Sequence, residues 1–182
     1  MSDTINGDRN LRTKGTAEPG PVSSFKPCRR ISIRQQMRPA PFDGGRLRSL
    51  VGKVLASLAP GEADLRILVV NDHDMKRWNS EFLGRPRTTN VISFPEDDPQ
   101  RVVAGRETRR STLSGDILIS APTCLRQTTG WSGSREERVF YFIVHGILHL
   151  AGYDHERGRG DARRMREAEI TVYRSVLARD PG

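Results

Sequence analysis

Cysteine and lysine are both scarce in this chain of 182 residues. It has two cysteines, Cys28 and Cys124, and four lysines, Lys14, Lys26, Lys53 and Lys76. Two thiols without CxxC spacing read as reduced cytosolic side chains and leave little room for cysteine chemistry. Long apolar runs are missing as well. The longest clear one covers residues 139–144, far below the roughly 18 residues a membrane span needs. The first thirty residues hold charges throughout and no apolar h-region, so no export signal is expected and the chain is read as cytoplasmic.

What is present describes one globular domain with tails. A length of 182 residues suits a single domain, and 35% hydrophobic with 29% charged residues argues against wholesale disorder, collagen-like repeats or a coiled coil. The 30 basic side chains against 22 acidic ones leave a net charge of +8. That excess favours polyanionic partners through counterion release, although a surplus so dominated by arginine also follows from genomic base composition.

Residues 1–28 are rich in Asp, Asn, Gly, Pro and Ser, cannot repay the entropy of ordering, and read as a disordered extension ahead of a single domain over 29–182. Ile31 and Ile33 then alternate as in a strand. Asp43 caps a helix whose Leu47, Leu50, Val51, Val54, Leu55 and Leu58 recur at helical spacing. Residues 65–70 form a β-branched strand, and Asn71 or Asp72 caps a second helix that Gly84 stops. Short strands are expected at 90–94 and 117–119, separated by a polar stretch over 96–114. Pro122 opens a helix to about Gly130. Ser134 and Glu137 make a capping-box pattern before an apolar helix ending near Gly152, and residues 161–178 form a last amphipathic helix. Interleaved elements without a regular βαβ period point to an α+β or mixed α/β fold.

Three of the four histidines fall within eleven residues, His145, His149 and His155. The first two are i and i+4 on one helix, so both imidazoles leave the same face, and Gly152 permits a reversal that returns His155 to it. Three nitrogen ligands and an open fourth position make the catalytic type of zinc site, one ion per chain, in which bound water becomes acidic enough to act near neutral pH. The three histidines act in catalysis through that water. The spacing also equals that of metzincin peptidases, but the glutamate that serves those enzymes as base is replaced by Gly146. His73 is isolated at a helix start and reads as an exposed capping-region residue. Tyr153, Asp154 and Asp116 stay outside the site: Asp154 could accept a ligand N–H, position the zinc water or cap the turn, and Asp116, at the start of a strand, is read as a turn residue after Gly115 rather than one that faces the site.

The run His145-Gly146-Ile147-Leu148-His149-Leu150-Ala151-Gly152-Tyr153-Asp154-His155 resembles the HGxLHLxGYDH signature of the YbeY family of bacterial endoribonucleases and rRNA maturation factors. Residues 89–95 resemble its T-[DN]-V-L-S-F-P segment and residues 115–117 its G-D-I, in the same order. The resemblance implies an α+β fold with a small mixed sheet packed with helices around a central, zincin-like zinc-binding helix. It also implies one zinc on the three histidines and a cytoplasmic role in 16S rRNA maturation and ribosome quality control. Its partners would be precursor rRNA, the ribosome and a ribosomal protein. The family usually carries an arginine for RNA handling where this chain has Leu83, and Arg85 and Arg87, two and four residues on, are the substitutes expected to contact phosphate. Two other readings stand beside the single-strand endoribonuclease: a non-catalytic, zinc-stabilised ribosome-assembly factor, and a metallopeptidase.

Overall fold

The computed structural model of the chain describes residues 28–58, 61–96 and 112–180. In chain order its elements are β1 (Arg29–Gln35), α1 (Gly44–Leu58), β2 (Ala63–Val70), α2 (Asp72–Leu83), β3 (Val91–Pro95), β4 (Leu113–Ser120), α3 (Ala121–Gln127), α4 (Arg135–Leu150) and α5 (Arg159–Leu177). The four strands form one sheet in the order β1-β2-β4-β3. β1, β2 and β4 run parallel, and β3 closes one edge antiparallel to β4. The fold is α+β with a small mixed sheet, as expected.

Strand alternation sorts the sheet into two faces. Leu65, Ile67 and Val69 of β2 and Ile117 and Ile119 of β4 point to the main core, against Leu50, Val54, Phe140, Ile143 and Ile147 of α1 and α4. Leu68, Val70, Ile92, Phe94 and Leu118 point to the other side, where Met75 and Trp78 of α2 cover them. α4 is apolar nearly all round, and Val139, Ile143, Val144, Ile147 and Leu148 are fully buried. A helix of that kind has to lie in the middle of the molecule.

The helix ends follow the local chemistry. Asp43 Oδ1 accepts from the backbone N–H of Gly45 and Arg46. Asn71 rather than Asp72 is the cap of α2, accepting from Asp74 at 2.8 Å, and Gly84 ends that helix in the left-handed region at φ 64°. Asp72 instead ties α2 to α3, accepting from Ser120 Oγ, Thr123 Oγ1 and Arg126. Burial works against its charge, but those three partners hold the carboxyl down at about 2. Ser134 and Glu137 make both bonds of the capping box on α4.

Three expectations need correction. β4 spans Leu113–Ser120 rather than three residues, because it pairs with β2 on one side and β3 on the other, and that pairing outweighs the poor strand propensity of Ser114, Gly115 and Asp116. Asp116 is therefore inside a strand and not in a turn; it sits opposite Arg66 in the register and takes that guanidinium in two hydrogen bonds of 2.6 and 2.9 Å. α3 starts at Ala121 under a Ser120 cap and ends at Gln127, short of Gly130, where Thr128 turns its hydroxyl back onto the Cys124 carbonyl at 2.8 Å. β1 begins at Arg29, and the Cys28 carbonyl just before it accepts from Ala63 N–H at 3.0 Å. The rest of the N-terminal extension and most of the polar stretch before β4 lie outside the described residues.

Candidate metal centre and its groove

His145 and His149 leave one side of α4, and their Nε2 atoms face each other at 3.1 Å. After α4 the chain reverses at Gly152, which adopts φ 88° and donates to the His149 carbonyl, while Tyr153 N–H donates to Leu148. Asp154 holds the next turn, accepting from Glu156 N–H at 2.8 Å and from Arg157 Nε at 3.0 Å. These bonds return His155 to the other two rings, with centroids 5.3 Å from His145 and 5.1 Å from His149. One ligand atom from each of the three histidines lies within 4.8 Å of the others, an arrangement that could hold a metal ion.

Helix α5 supplies a further member that the sequence reading missed. Glu169 is buried, and it accepts from His145 Nδ1 at 2.6 Å and from the Tyr141 hydroxyl at 2.7 Å. The signal was there in principle: Met165, Glu169, Val172 and Val176 form the buried stripe of α5, and a carboxylate does not occupy an apolar stripe without a partner. Burial works against the Glu169 charge, yet the bonds from His145 and Tyr141 hold its pKa below the ordinary value.

The donor set fits a divalent transition metal. With the His145 Nδ1 proton committed to Glu169, its Nε2 presents a lone pair toward His149 Nε2. A His149 protonated at Nε2 donates to that lone pair; in its other tautomer two nitrogen lone pairs stand 3.1 Å apart, close to the roughly 3.3 Å between ligands on one tetrahedral ion. His149 is pulled down to about 4, by burial first and then by the neighbouring imidazoles, so at neutral pH it is in the uncharged form that binds metal. A carboxylate behind a ligating histidine fixes the tautomer and raises ligand basicity. Glu169→Gln is accordingly expected to weaken metal affinity by roughly 10- to 100-fold while the fold stays intact. Competition with a chromogenic chelator measures it, and wild-type affinity in the variant would remove Glu169 from the site.

A groove of about 630 Å³ runs past the histidines, lined also by Leu83, Arg85, Arg87, Ser93 and Arg157. Leu83 is 48% exposed there. Buried Asn79 fixes the loop beyond it, its carbonyl accepting from Arg85 N–H at 3.1 Å and its Nδ2 donating to the Arg87 carbonyl at 2.6 Å. Among the described residues neither Arg85 nor Arg87 has a carboxylate partner. The structure thus brings the two arginines to the histidine groove. It leaves His73 out, with its side chain 88% exposed beside Asp74, and places Asp116 among the residues of the opposite sheet face. Tyr153 packs against the core from the groove wall. Cys124 is buried, which pushes its thiol pKa far up and makes it inert.

Gly146 has a steric reason. A Cβ there would lie 2.9 Å from Ile117 Cγ2 and 3.0 Å from Ser93 Oγ, so α4 can approach the sheet only through a glycine. Ser93 Oγ donates to the Gly146 carbonyl at 3.3 Å and secures the contact. Gly115 serves the same approach from the sheet, since its Cβ would lie 2.5 Å from the Phe94 carbonyl and 2.9 Å from Leu150. The two motifs outside the histidine run therefore seat the histidine helix.

The chain is similar to known proteins. Residues 32–176 match the family model described as endoribonuclease YbeY. The endoribonuclease YbeY of Geobacter metallireducens is 32% identical over 152 residues, covering 83% of this chain and 97% of that protein. Those of Syntrophotalea carbinolica and Roseiflexus castenholzii are 37% and 39% identical over 127 and 112 residues, covering 68% and 62% of this chain and 81% and 69% of theirs. The solution structure of TM1509 from Thermotoga maritima shares the fold, with a TM-score of 0.54 at 24% identity, covering 84% of this chain and 98% of that one. With the family model spanning strands, histidine helix and α5 alike, the chain belongs to the endoribonuclease YbeY family.

Proposed function

We propose that this chain is a zinc-dependent, single-strand-specific endoribonuclease of the cytoplasm that acts in 16S rRNA 3′ end maturation and ribosome quality control. The observation that carries the reading is the meeting of His145, His149 and His155 in a groove that also holds arginines without carboxylate partners. When bound, the ion supplies Lewis acidity and an acidified water. The protein's own groups do the rest. Glu169 holds the His145 ring in its ligating tautomer, Asp154 and Gly152 keep His155 in place, and Arg85 and Arg87 neutralise phosphate oxygens as charge develops. Cleavage assays on single-stranded precursor rRNA, with metal content measured on the same sample, test this directly.

Arg85 and Arg87 have their own test. A hydrogen bond to a charged group contributes about 1.5–3 kcal/mol, so the double alanine variant should keep its metal and cleave RNA at least about tenfold more slowly. Wild-type cleavage by that variant would show that they do not replace the family arginine. Leu83 favours a second reading, a ribosome-assembly factor that binds RNA or a ribosomal protein without cutting. It would be established if the wild type never cleaves and Leu83→Arg does. A metallopeptidase lacks its base, for the buried backbone at Gly146 leaves no space for a glutamate.

A further inference from the structure

The histidine cluster opens on two sides. Opposite the arginine groove, a cleft of about 900 Å³ runs along α4 and α5 beneath the connection from α3. His145, His155 and Asn90 line both, so the two form one path across the cluster. An RNA strand whose phosphate sits at the histidines would place one neighbour among Arg85 and Arg87 and the other in this cleft.

The walls of the cleft say what would fit. Trp131 leaves 46% of its surface exposed, although an indole ordinarily hides its apolar body. The ring is held in place. Tyr141 meets it at 5.0 Å and 76°, and Tyr141 is itself fixed by its bond to Glu169 and an edge contact with Tyr173. From α5 come Arg166, Ile170 and Arg174, at i, i+4 and i+8 on one face of the helix. Among the described residues neither arginine has a carboxylate partner, and the one carboxylate of the lining, Glu169, is already taken by Tyr141 and His145.

Resting on the endoribonuclease reading, we propose that this cleft is a nucleotide subsite of the RNA strand, in which Trp131 stacks the base next to the scissile phosphate and Arg166 and Arg174 hold its phosphates. A held aromatic face with two cations and no free anion complements a planar base joined to a phosphodiester. An apolar protein segment would use Trp131 and Ile170 and leave both arginines idle. The same stack accounts for a preference for single strands, because a base within a duplex has no free face to offer.

The experiment uses the full chain, metal-loaded, and reads binding on a phosphorothioate-linked 2′-O-methyl single-stranded RNA carrying 2-aminopurine at successive positions, with cleavage read on unmodified RNA of the same sequence. One position should be quenched on binding to the wild type. Trp131→Ala should weaken binding about 5- to 150-fold, the range for one base stacked on an aromatic, and abolish that quenching. Metal content and melting temperature should not move, and Trp131→Phe should retain most of the affinity. An abasic site at the quenched position should weaken wild-type binding by a similar factor and leave Trp131→Ala binding unchanged, which a merely structural role would not produce. Arg166→Gln with Arg174→Gln should lower the salt slope by about 1.4. The subsite is overturned if Trp131→Ala binds and quenches like the wild type, or if it loses the same factor on intact and abasic RNA. Wild type that binds and cleaves beside an unaffected Trp131→Ala defeats the subsite alone. Wild type that neither binds nor cleaves single-stranded RNA defeats the endoribonuclease reading, and the subsite with it.

Discussion

His149→Ala should leave a folded protein with almost no metal. Loss of an outer partner already costs roughly 10- to 100-fold in metal affinity, and His149 is one of the proposed ligands themselves, so more than about 100-fold is expected, with cleavage reduced to background. His149 lies at the groove and not in the main core, so circular dichroism should stay close to wild type while elemental analysis of the purified protein shows the loss. His145→Ala should match it and in addition strand Glu169, a buried carboxylate then deprived of its imidazole donor. His73→Ala is the control and should retain about one equivalent of metal. Full occupancy in His149→Ala, or loss of the ion in His73→Ala, would show that the metal is bound elsewhere.

Gly146→Glu, the change that would recreate the peptidase motif, should fail to fold stably. Adding even a Cβ brings it within 2.9 Å of Ile117, 3.0 Å of Ser93 and 3.2 Å of Val91, on two strands that are themselves paired into the sheet. Overpacking of this kind costs about 1–3 kcal/mol, and an unpaired carboxylate driven into the same space adds several more. Against a total stability of about 5–15 kcal/mol the sum is enough to unfold much of the population. Gly146→Ala separates the two contributions, because it carries the steric cost alone and should lower the urea midpoint while remaining folded. A glutamate variant with the wild-type midpoint and new peptidase activity would mean that the helix can be lifted off the sheet, and that close approach does not require the glycine.

The Arg66–Asp116 pair shows where reading by sequence ran out. Both residues belong to strands, but Gly115 before Asp116 looks like turn chemistry, and only the parallel register with β2 makes that segment a strand and sets the aspartate opposite an arginine fifty positions away. Glu169 is the same case at the site. It lies 24 residues after His145, on another helix, and what joins them is how α4 and α5 pack. The arginine loop belongs with them: its place beside the histidines depends on α2 reaching the groove and on Asn79 fixing the turn.

By itself, the sequence determined what local spacing controls. The helix caps at Asp43, Ser134 and Gly84, the core stripe of α4, and the convergence of His145, His149 and His155 all follow from helical periodicity and one glycine reversal, interactions that span no more than about ten residues. The tertiary structure alone decided the length of β4, the side of the sheet that Asp116 faces, the partner of His145, and the cleft that continues past the histidine cluster. Those features depend on which elements pack together, and side-chain period within one segment carries no information about its neighbour. A buried carboxylate and a close-approach glycine acquire their meaning only from the surface that meets them.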